Sequence, residues 1–379
     1  MSSITPVRYR FLQQAADIHA FLSTLTSRSA IAVDLEADSL YSYPEKVCLV
    51  QVSTSDENVI LDPLHGAEGM SALAALLADR ETLKVFHGGD YDVRLLKKEF
   101  GVELHNLADT MMAAQFLGRQ RVGLADLLSE ELDVKVDKRY QRANWSRRPL
   151  PEDMLCYAAL DTAYLLPLWA QLREQLSRLG RLDWGREEFQ LLEQVTPPEE
   201  RPPSCFDVKG AHRLAPRQRA ALQALVEVRE ETAKAWGRPP FKVLSNQVLL
   251  NWAQNPPSDR WEVLQTHGAN KGILRRLAPQ VLAAVRTAQS RPLRDCPHRH
   301  SPSHSPLSEG EHRRLRRLKR VRQSAAQRLG LSAGLLVNTR TLETLARAAP
   351  DEAEHTLHSL LKHWQLKALG PALAKALQG

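Results

Sequence analysis

The sequence predicts an α/β domain with a mixed sheet, followed by two small all-α bundles. Three observations carry that expectation. Strand-like runs are confined to the start of the chain, helical periodicity takes over after residue 90, and proline-rich segments cut the helical remainder twice. At 379 residues the chain also exceeds the size at which one hydrophobic core keeps growing, so two or three domains are expected.

The elements follow in order. From Ala30 the run Ala-Ile-Ala-Val-Asp-Leu-Glu is apolar and β-branched, and Val47 to Val52 and Val59 to Leu61 repeat the pattern between turn-prone residues, which predicts a three-stranded meander. Met70 to Ala78 has helical spacing and Leu83 to Phe86 reads as a buried strand. After Gly88-Gly89, the apolar positions Val93, Leu95, Leu96 and Phe100 return to the helical period. Helices are expected at Thr110 to Leu117, at Leu124 to Leu132, and as one long element from Pro151 to Leu179 with Glu152 and Asp153 in its first turn.

This first domain spans 1–195. The prolines at 197, 198, 202 and 203 then make 196–208 a linker. A helical bundle fills 209–289, broken at Gly237, Pro239-Pro240 and Pro256-Pro257. Residues 290–311, rich in Ser, Pro, His and Arg, form a second linker, and a second bundle fills 312–379. The bundles are alike in length and layout, as a divergent repeat would be.

Composition excludes several classes. Hydrophobic residues at 43% and charged residues at 25% are those of a globular protein rather than a disordered one. Met1 to Leu25 has no continuous apolar stretch of the signal-peptide kind, and no later run reaches the length of a membrane span. Cys48, Cys156, Cys205 and Cys296 lie far apart, as expected where thiols stay reduced, so a cytoplasmic protein is expected. Charge is divided unevenly. Residues 1–200 hold 21 Lys and Arg against 31 Asp and Glu, net −10; of the chain's 51 and 44, this leaves 30 against 13, net +17. A basic half attracts phosphate backbones, whereas an acidic half repels them unless its carboxylates surround cations.

Asp34 and Glu36 stand two apart in the first strand run, so alternation puts both on one face. Tyr157 and Asp161 stand four apart in a helix, one turn from each other. Asp92 follows His87-Gly88-Gly89 at a strand-to-helix junction. Its neighbour Asp90 stands where a helix cap belongs, and His87 reads as a strand-end residue rather than a ligand. Alone, an Asp-x-Glu or a Tyr-x-x-x-Asp is usually solvated surface. Together, four carboxylates from three segments suit the hard cations Mg²⁺ or Mn²⁺ better than zinc. Two such ions about 3.5 to 4 Å apart activate a water and stabilise the leaving oxygen of a phosphodiester. Tyr157 would orient or deprotonate that water.

Val-Asp-Leu-Glu at 33–36, His-x-x-x-x-Asp at 87–92 and Tyr-x-x-x-Asp at 157–161 resemble the three exonuclease motifs of the DEDDy family, in order and in spacing. Asp109-Thr110, Asp137-Lys138, Trp145 and Arg148-Pro149-Leu150 are similar to the ribonuclease D branch, and the resemblance covers 10–185. Where the sister DEDDh group has a histidine, five residues before the last aspartate, this chain has Cys156. The resemblance implies a ribonuclease H-like fold. It further implies that Asp34, Glu36 and Asp161 hold one metal, that Asp34 also touches a second, and that Asp92 acts largely through water.

The bundles resemble HRDC domains, nucleic-acid-binding modules. Leu225 to Arg229, Pro239 to Val243, Leu249 and Leu250 carry this in the first bundle. The second reads Gly334-Leu335-Leu336-Val337-Asn338 at the corresponding place and lacks the proline. The implied function is a metal-dependent 3′-5′ exoribonuclease that trims RNA 3′ ends, tRNA precursors among them, and releases nucleoside 5′-monophosphates. The expected partner is RNA, with no membrane, and the expected state is a monomer. Two alternatives stand beside it: a DNA 3′-5′ exonuclease of Werner-like type, and a non-catalytic RNA-binding protein.

Arg313 to Arg328 holds eight Lys or Arg in sixteen residues, with Leu315, Leu318 and Val321 along one side. Arg313, Arg314, Arg316, Arg317, Lys319 and Arg320 are the expected phosphate contacts. Cys296, His298, His300 and His304 fit no common zinc spacing. Trp236, Trp252 and Trp261 can stack on bases, but in small bundles such residues more often build the core.

Overall fold

The structure is a computed structural model that describes residues 7–25, 30–137, 139–199, 201–298, 306–349 and 352–378. Lys138, His300 and His304 lie outside the described residues. The chain divides into two compact units.

The larger unit is built on a six-stranded sheet ordered β1-β4-β3-β2-β5-β6, with β1 Arg10–Leu12, β2 Ala30–Ala37, β3 Val47–Ser53, β4 Asn58–Leu61, β5 Leu83–Phe86 and β6 Leu107–Asp109. β3 pairs antiparallel with β4, while β1 with β4, β2 with β5, and β5 with β6 are parallel, so the sheet is mixed as expected. β3 is buried at every position and forms the middle of the core beside β2. The two edge strands were not expected from the sequence. Each is three residues long, too short for alternation to register.

Around the sheet lie α1 Ala15–Thr24, α2 Pro63–Gly66, α3 Ser71–Ala78, α4 Asp90–Phe100, α5 Thr110–Phe116, α6 Leu124–Leu132, α7 Glu152–Ala163, α8 Leu165–Arg178 and α9 Leu182–Glu193. The single helix expected from Pro151 to Leu179 is two, α7 and α8, separated at Tyr164. Pro167 is the reason. It offers no N–H, and its ring would collide with the carbonyl of Ala163 four residues earlier. At the sheet edge, the fully buried Lys84 on β5 donates to the carbonyls of Asp79 and, at 2.9 Å, His105, fastening the strand's surroundings.

The C-terminal helices belong to this same unit: α15 Glu309–Leu329, α16 Ala333–Leu336, α17 Thr339–Arg347, α18 Ala353–Leu360 and α19 His363–Gln378. α17 and α19 pack against α15. On the exonuclease-like side the contact is made by α9. Glu187 accepts from the backbone N–H groups of His363 (2.6 Å) and Trp364 (2.8 Å) at the start of α19. Glu188 accepts from Lys362 Nζ (2.6 Å) and from Trp364 Nε1 (2.7 Å). The Trp364 ring stacks on Trp184 with centroids 5.1 Å apart and meets Phe116 edge-on at 5.1 Å. Gly118, with φ +80, lies so close to the Gly330 carbonyl that a Cβ would collide with it.

The smaller unit comprises α10 Pro216–Trp236, α11 Pro240–Val243, α12 Asn246–Gln254, α13 Arg260–Leu264 and α14 Lys271–Ser290, with residues 37–46 packed alongside. Its core gathers Leu222, Leu225, Leu249, Trp252, Leu274 and Val281, and Tyr43 lies against it. Lys242 Nζ stands 4.0 Å from the centroid of the Tyr41 ring. Among the three tryptophans expected in the core, Trp252 is buried, with Nε1 bonded to Thr266 at 3.0 Å, and Trp236 is half-buried beneath Arg276. Trp261 departs from that expectation. It is 68% exposed, because the short α13 turns only Val263 inward. Cys296 is buried in this core, and His298 is exposed.

Candidate active site

Central strand β2 carries Asp34 and Glu36 on one face. The first turn of α4 carries Asp92, and α7 carries Tyr157 and Asp161 one turn apart. α7 packs across β3 and β4, and Ser53 of β3 shares a buried 2.7 Å hydrogen bond with Thr162, so the residue beside Asp161 is tied to the sheet. Asp92 is 8% exposed and Tyr157 is 7% exposed, whereas Asp34, Glu36 and Asp161 are half-buried and reach solvent.

Each carboxylate feels the others. Burial pushes Asp34 up to about 7, against a smaller opposing effect of the Leu35 N–H. Glu36 is raised well above the ordinary carboxylate range by burial and then by the charges of Asp34, Asp161 and Asp92. Asp92 is raised by burial, Asp34 and Asp109, and Asp161 by burial and Asp34. Tyr157 is raised by burial and by Asp161, Glu36, Asp34 and Asp137, so its phenol is neutral. No lysine or arginine among the described residues is a cause of these carboxylate shifts. Among the described residues no three His, Cys, Asp or Glu side chains are drawn tightly enough together to form a ligand cage, so the convergence rests on these mutual fields. Carboxylates that raise one another in this way are the donor set of hard divalent cations.

Asp90 is the first residue of α4 rather than its cap. The cap position is Gly89, and the Asp90 carboxylate instead pairs with Arg94 one turn on, at 2.9 Å. His87 bonds Thr110 Oγ1 at 2.9 Å, and burial holds its ring below the usual histidine range.

Sequence reasoning gave Asp109 no role. The register Phe86↔Asp109 brings the ends of β5 and β6 together. There Asp109 accepts from Gly89 N (2.8 Å) at the head of α4 and from Met112 N (2.9 Å) in α5. It therefore sets the start of the helix that carries Asp92. The sequence signal was the Asp109-Thr110 pair of the ribonuclease D resemblance, which does not show this contact because Asp109 lies on another strand.

Six arginines and lysines of α15 were expected to face nucleic acid, and the structure divides them. Arg314 donates to the Ala346 carbonyl (2.8 Å) and Arg317 to that of Ala376 (3.0 Å), so both bind the ends of neighbouring helices. Arg313, Arg316 and Arg320 are exposed along one stripe with His312, and Lys319 is half-buried.

A six-stranded mixed sheet with an acidic, phenol-flanked set of residues, followed along the chain by two helical modules, is the arrangement of a 3′-5′ exonuclease domain with appended helical domains. Residues 9–177 match the family described as 3′-5′ exonuclease, and 218–285 and 311–377 match the HRDC domain. The chain carries a 3′-5′ exonuclease domain and HRDC domains and is similar to ribonuclease D. It is 28% identical to ribonuclease D of Granulibacter bethesdensis, over 76% of this chain and 73% of that protein. Escherichia coli RNase D, described as an exoribonuclease involved in structured RNA processing, superposes with a TM-score of 0.72 at 26% identity, over 98% of this chain and 99% of that one. The exosome complex component 10 homolog of Caenorhabditis elegans is 36% identical over 64% of this chain, but the chain spans only 28% of its length.

Proposed function

We propose that this chain shortens RNA from the 3′ end, one nucleotide at a time, releasing nucleoside 5′-monophosphates, and that structured RNAs such as tRNA precursors are its substrates. The observation that carries the reading is the set of Asp34, Glu36, Asp92 and Asp161 with Tyr157, whose carboxylates are raised by burial and by one another. The description of the E. coli relative as a processor of structured RNA supports the substrate class.

Asp34, Glu36 and Asp161 would hold one Mg²⁺ or Mn²⁺, Asp34 would also touch a second, and Asp92 would act largely through water. Such ions, when bound, supply an activated water and stabilise the leaving oxygen. The chain's own residues do the remainder. Tyr157 would orient or deprotonate the attacking water through its hydroxyl. The exposed stripe Arg313, Arg316 and Arg320 of α15, with Lys319, would steer the phosphate backbone. Four free thiols, three of them buried, fit a reducing cytoplasmic setting, and we propose that the protein acts there as a monomer. Among the described residues no helix is long and apolar enough to cross a membrane.

Matched, labelled RNA and DNA oligonucleotides incubated with Mn²⁺, with and without chelator, test the reading. Stepwise loss of the RNA 3′ end that stops on chelation is expected, and faster loss of the DNA would overturn the ribonuclease assignment. Asp34→Asn and Asp161→Asn should abolish turnover while RNA affinity stays near wild type. Unchanged activity in either would refute the metal assignment.

A further inference from the structure

A tyrosine side chain turns about two bonds, so Tyr157 can hold a water in line only if something fixes its ring. Two aromatic residues do so. Trp145 lies tilted against it, with centroids 6.1 Å apart at 31°, and Tyr140 meets it edge-on at 5.8 Å and 76°. Trp145 is 1% exposed and belongs to the core cluster with Leu150, Met154 and Leu155. Tyr140 differs, because it is half-buried on the segment that precedes α7. Its anchors are local to the site. The hydroxyl donates to the carboxylate of Asp153, in the first turn of α7 and one turn before Tyr157. Arg139 lies over its ring, 5.7 Å from the centroid, and is itself held by Asp137 at 2.7 Å. Asp137 in turn stands close enough to Tyr157 to act on its phenol. Tyr140 is thus pinned at its hydroxyl and at its ring edge to the same helix face that presents Tyr157.

We propose that Tyr140 is a positioning residue that fixes the orientation of the Tyr157 ring through edge-to-face contact, without itself exchanging a proton or touching substrate. The proposal rests on the assignment of Tyr157 as the residue that orients water. Edge-to-face pairs are modest in energy, but a small error in aim lowers the rate steeply, so the effect belongs in kcat.

The experiment is a double-mutant cycle on full-length protein with a labelled RNA oligonucleotide and Mn²⁺. Tyr140→Phe keeps the ring and loses only the tip, so its kcat should remain near wild type. Tyr140→Leu, with an unchanged Tm, should lose roughly tenfold to a hundredfold in kcat with KM little altered. In a Tyr157→Phe background, Tyr140→Leu should cost nothing further, because its partner's function is already gone.

A Tyr140→Leu enzyme with wild-type kcat overturns the proposal. So does a rise in KM that persists in the Tyr157→Phe background, which would make Tyr140 a direct RNA contact. If Tyr140→Leu fails to fold, Asp153→Asn provides the second route: it releases the hydroxyl and should match Tyr140→Phe in kcat, and a larger loss that carries over into the Tyr157→Phe background overturns the proposal. Full turnover by Tyr157→Phe alone would instead refute the assignment of Tyr157 itself, and the two failures are distinguishable.

Discussion

Arg148 shows how much of the site one side chain secures. Its guanidinium forks onto Asp62 through Nε and Nη2, both at 2.7 Å, and donates to the carbonyls of Cys48 (2.9 Å), Trp145 and Arg147 (both 2.7 Å). The segment that carries Tyr140 and Trp145 is thereby fastened to the sheet. The pair is sheltered, with side-chain exposures of 14% and 0%. Removing one partner of such a pair leaves a buried charge, so Arg148→Met is expected to lower stability by about 3–5 kcal/mol. Burial alone would raise the Asp62 carboxyl, but Arg148, His65 and Gln13 bring it below the usual carboxylate range. A depressed folded-state pKa means that this stabilisation is complete above the ordinary carboxylate range and is lost as pH falls through it. Thermal melts from pH 6 down to pH 3 should therefore fall more steeply for the wild type than for Asp62→Asn, and parallel curves would exclude the pair as the cause. The candidate carboxylates were legible in the sequence because strand and helix periods place them by themselves. The partners of Arg148 were not, since they lie 86 and 100 residues away.

At the scale of the element, α15 turns some of its basic side chains to neighbouring helix ends and leaves others exposed. A run of arginines in sequence shows that a helix is basic, but not which turns face neighbouring helix ends. That depends on helical phase against α17 and α19, which only packing sets. Arg316→Glu with Arg320→Glu is expected to weaken RNA binding and to reduce the salt dependence of log K by about one for each phosphate no longer neutralised, with Tm unchanged. Arg314→Ala should do the reverse, lowering Tm while leaving affinity nearly intact. Filter binding across a salt series and thermal melting together decide it, and a common response of both variants would mean that the division is wrong. α7 and α8 carry a related lesson. Helical periodicity runs through both, so hydrophobic spacing followed past Pro167 conceals the break, whose cause is local and steric.

At the scale of the molecule, composition and periodicity revealed two alike helical modules but not that the second belongs to the same compact unit as the exonuclease domain. That union depends on Glu187 and Glu188 meeting Lys362 to Trp364, a pairing across some 174 to 177 residues that no local pattern reports. Removal of 312–379 would therefore uncover Phe116 and Trp184 as well as discard basic residues, and is a poor test of RNA binding. Gly118→Ala is a finer probe. It combines a strained positive φ with a collision at the Gly330 carbonyl, and should loosen the C-terminal helices while the carboxylate cluster stays intact. Faster hydrogen exchange in α19 with Mn²⁺-dependent cleavage of a short RNA retained is the expected result. Unaltered exchange would show that the close approach is not needed.

The stacked indoles of Trp184 and Trp364 also make this seam visible to light. Two such chromophores at 5.1 Å are near enough for their transitions to couple, so the union of the domains has an optical signature of its own. Separation during unfolding, or on engagement of a long RNA, could then be followed by circular dichroism in unlabelled protein.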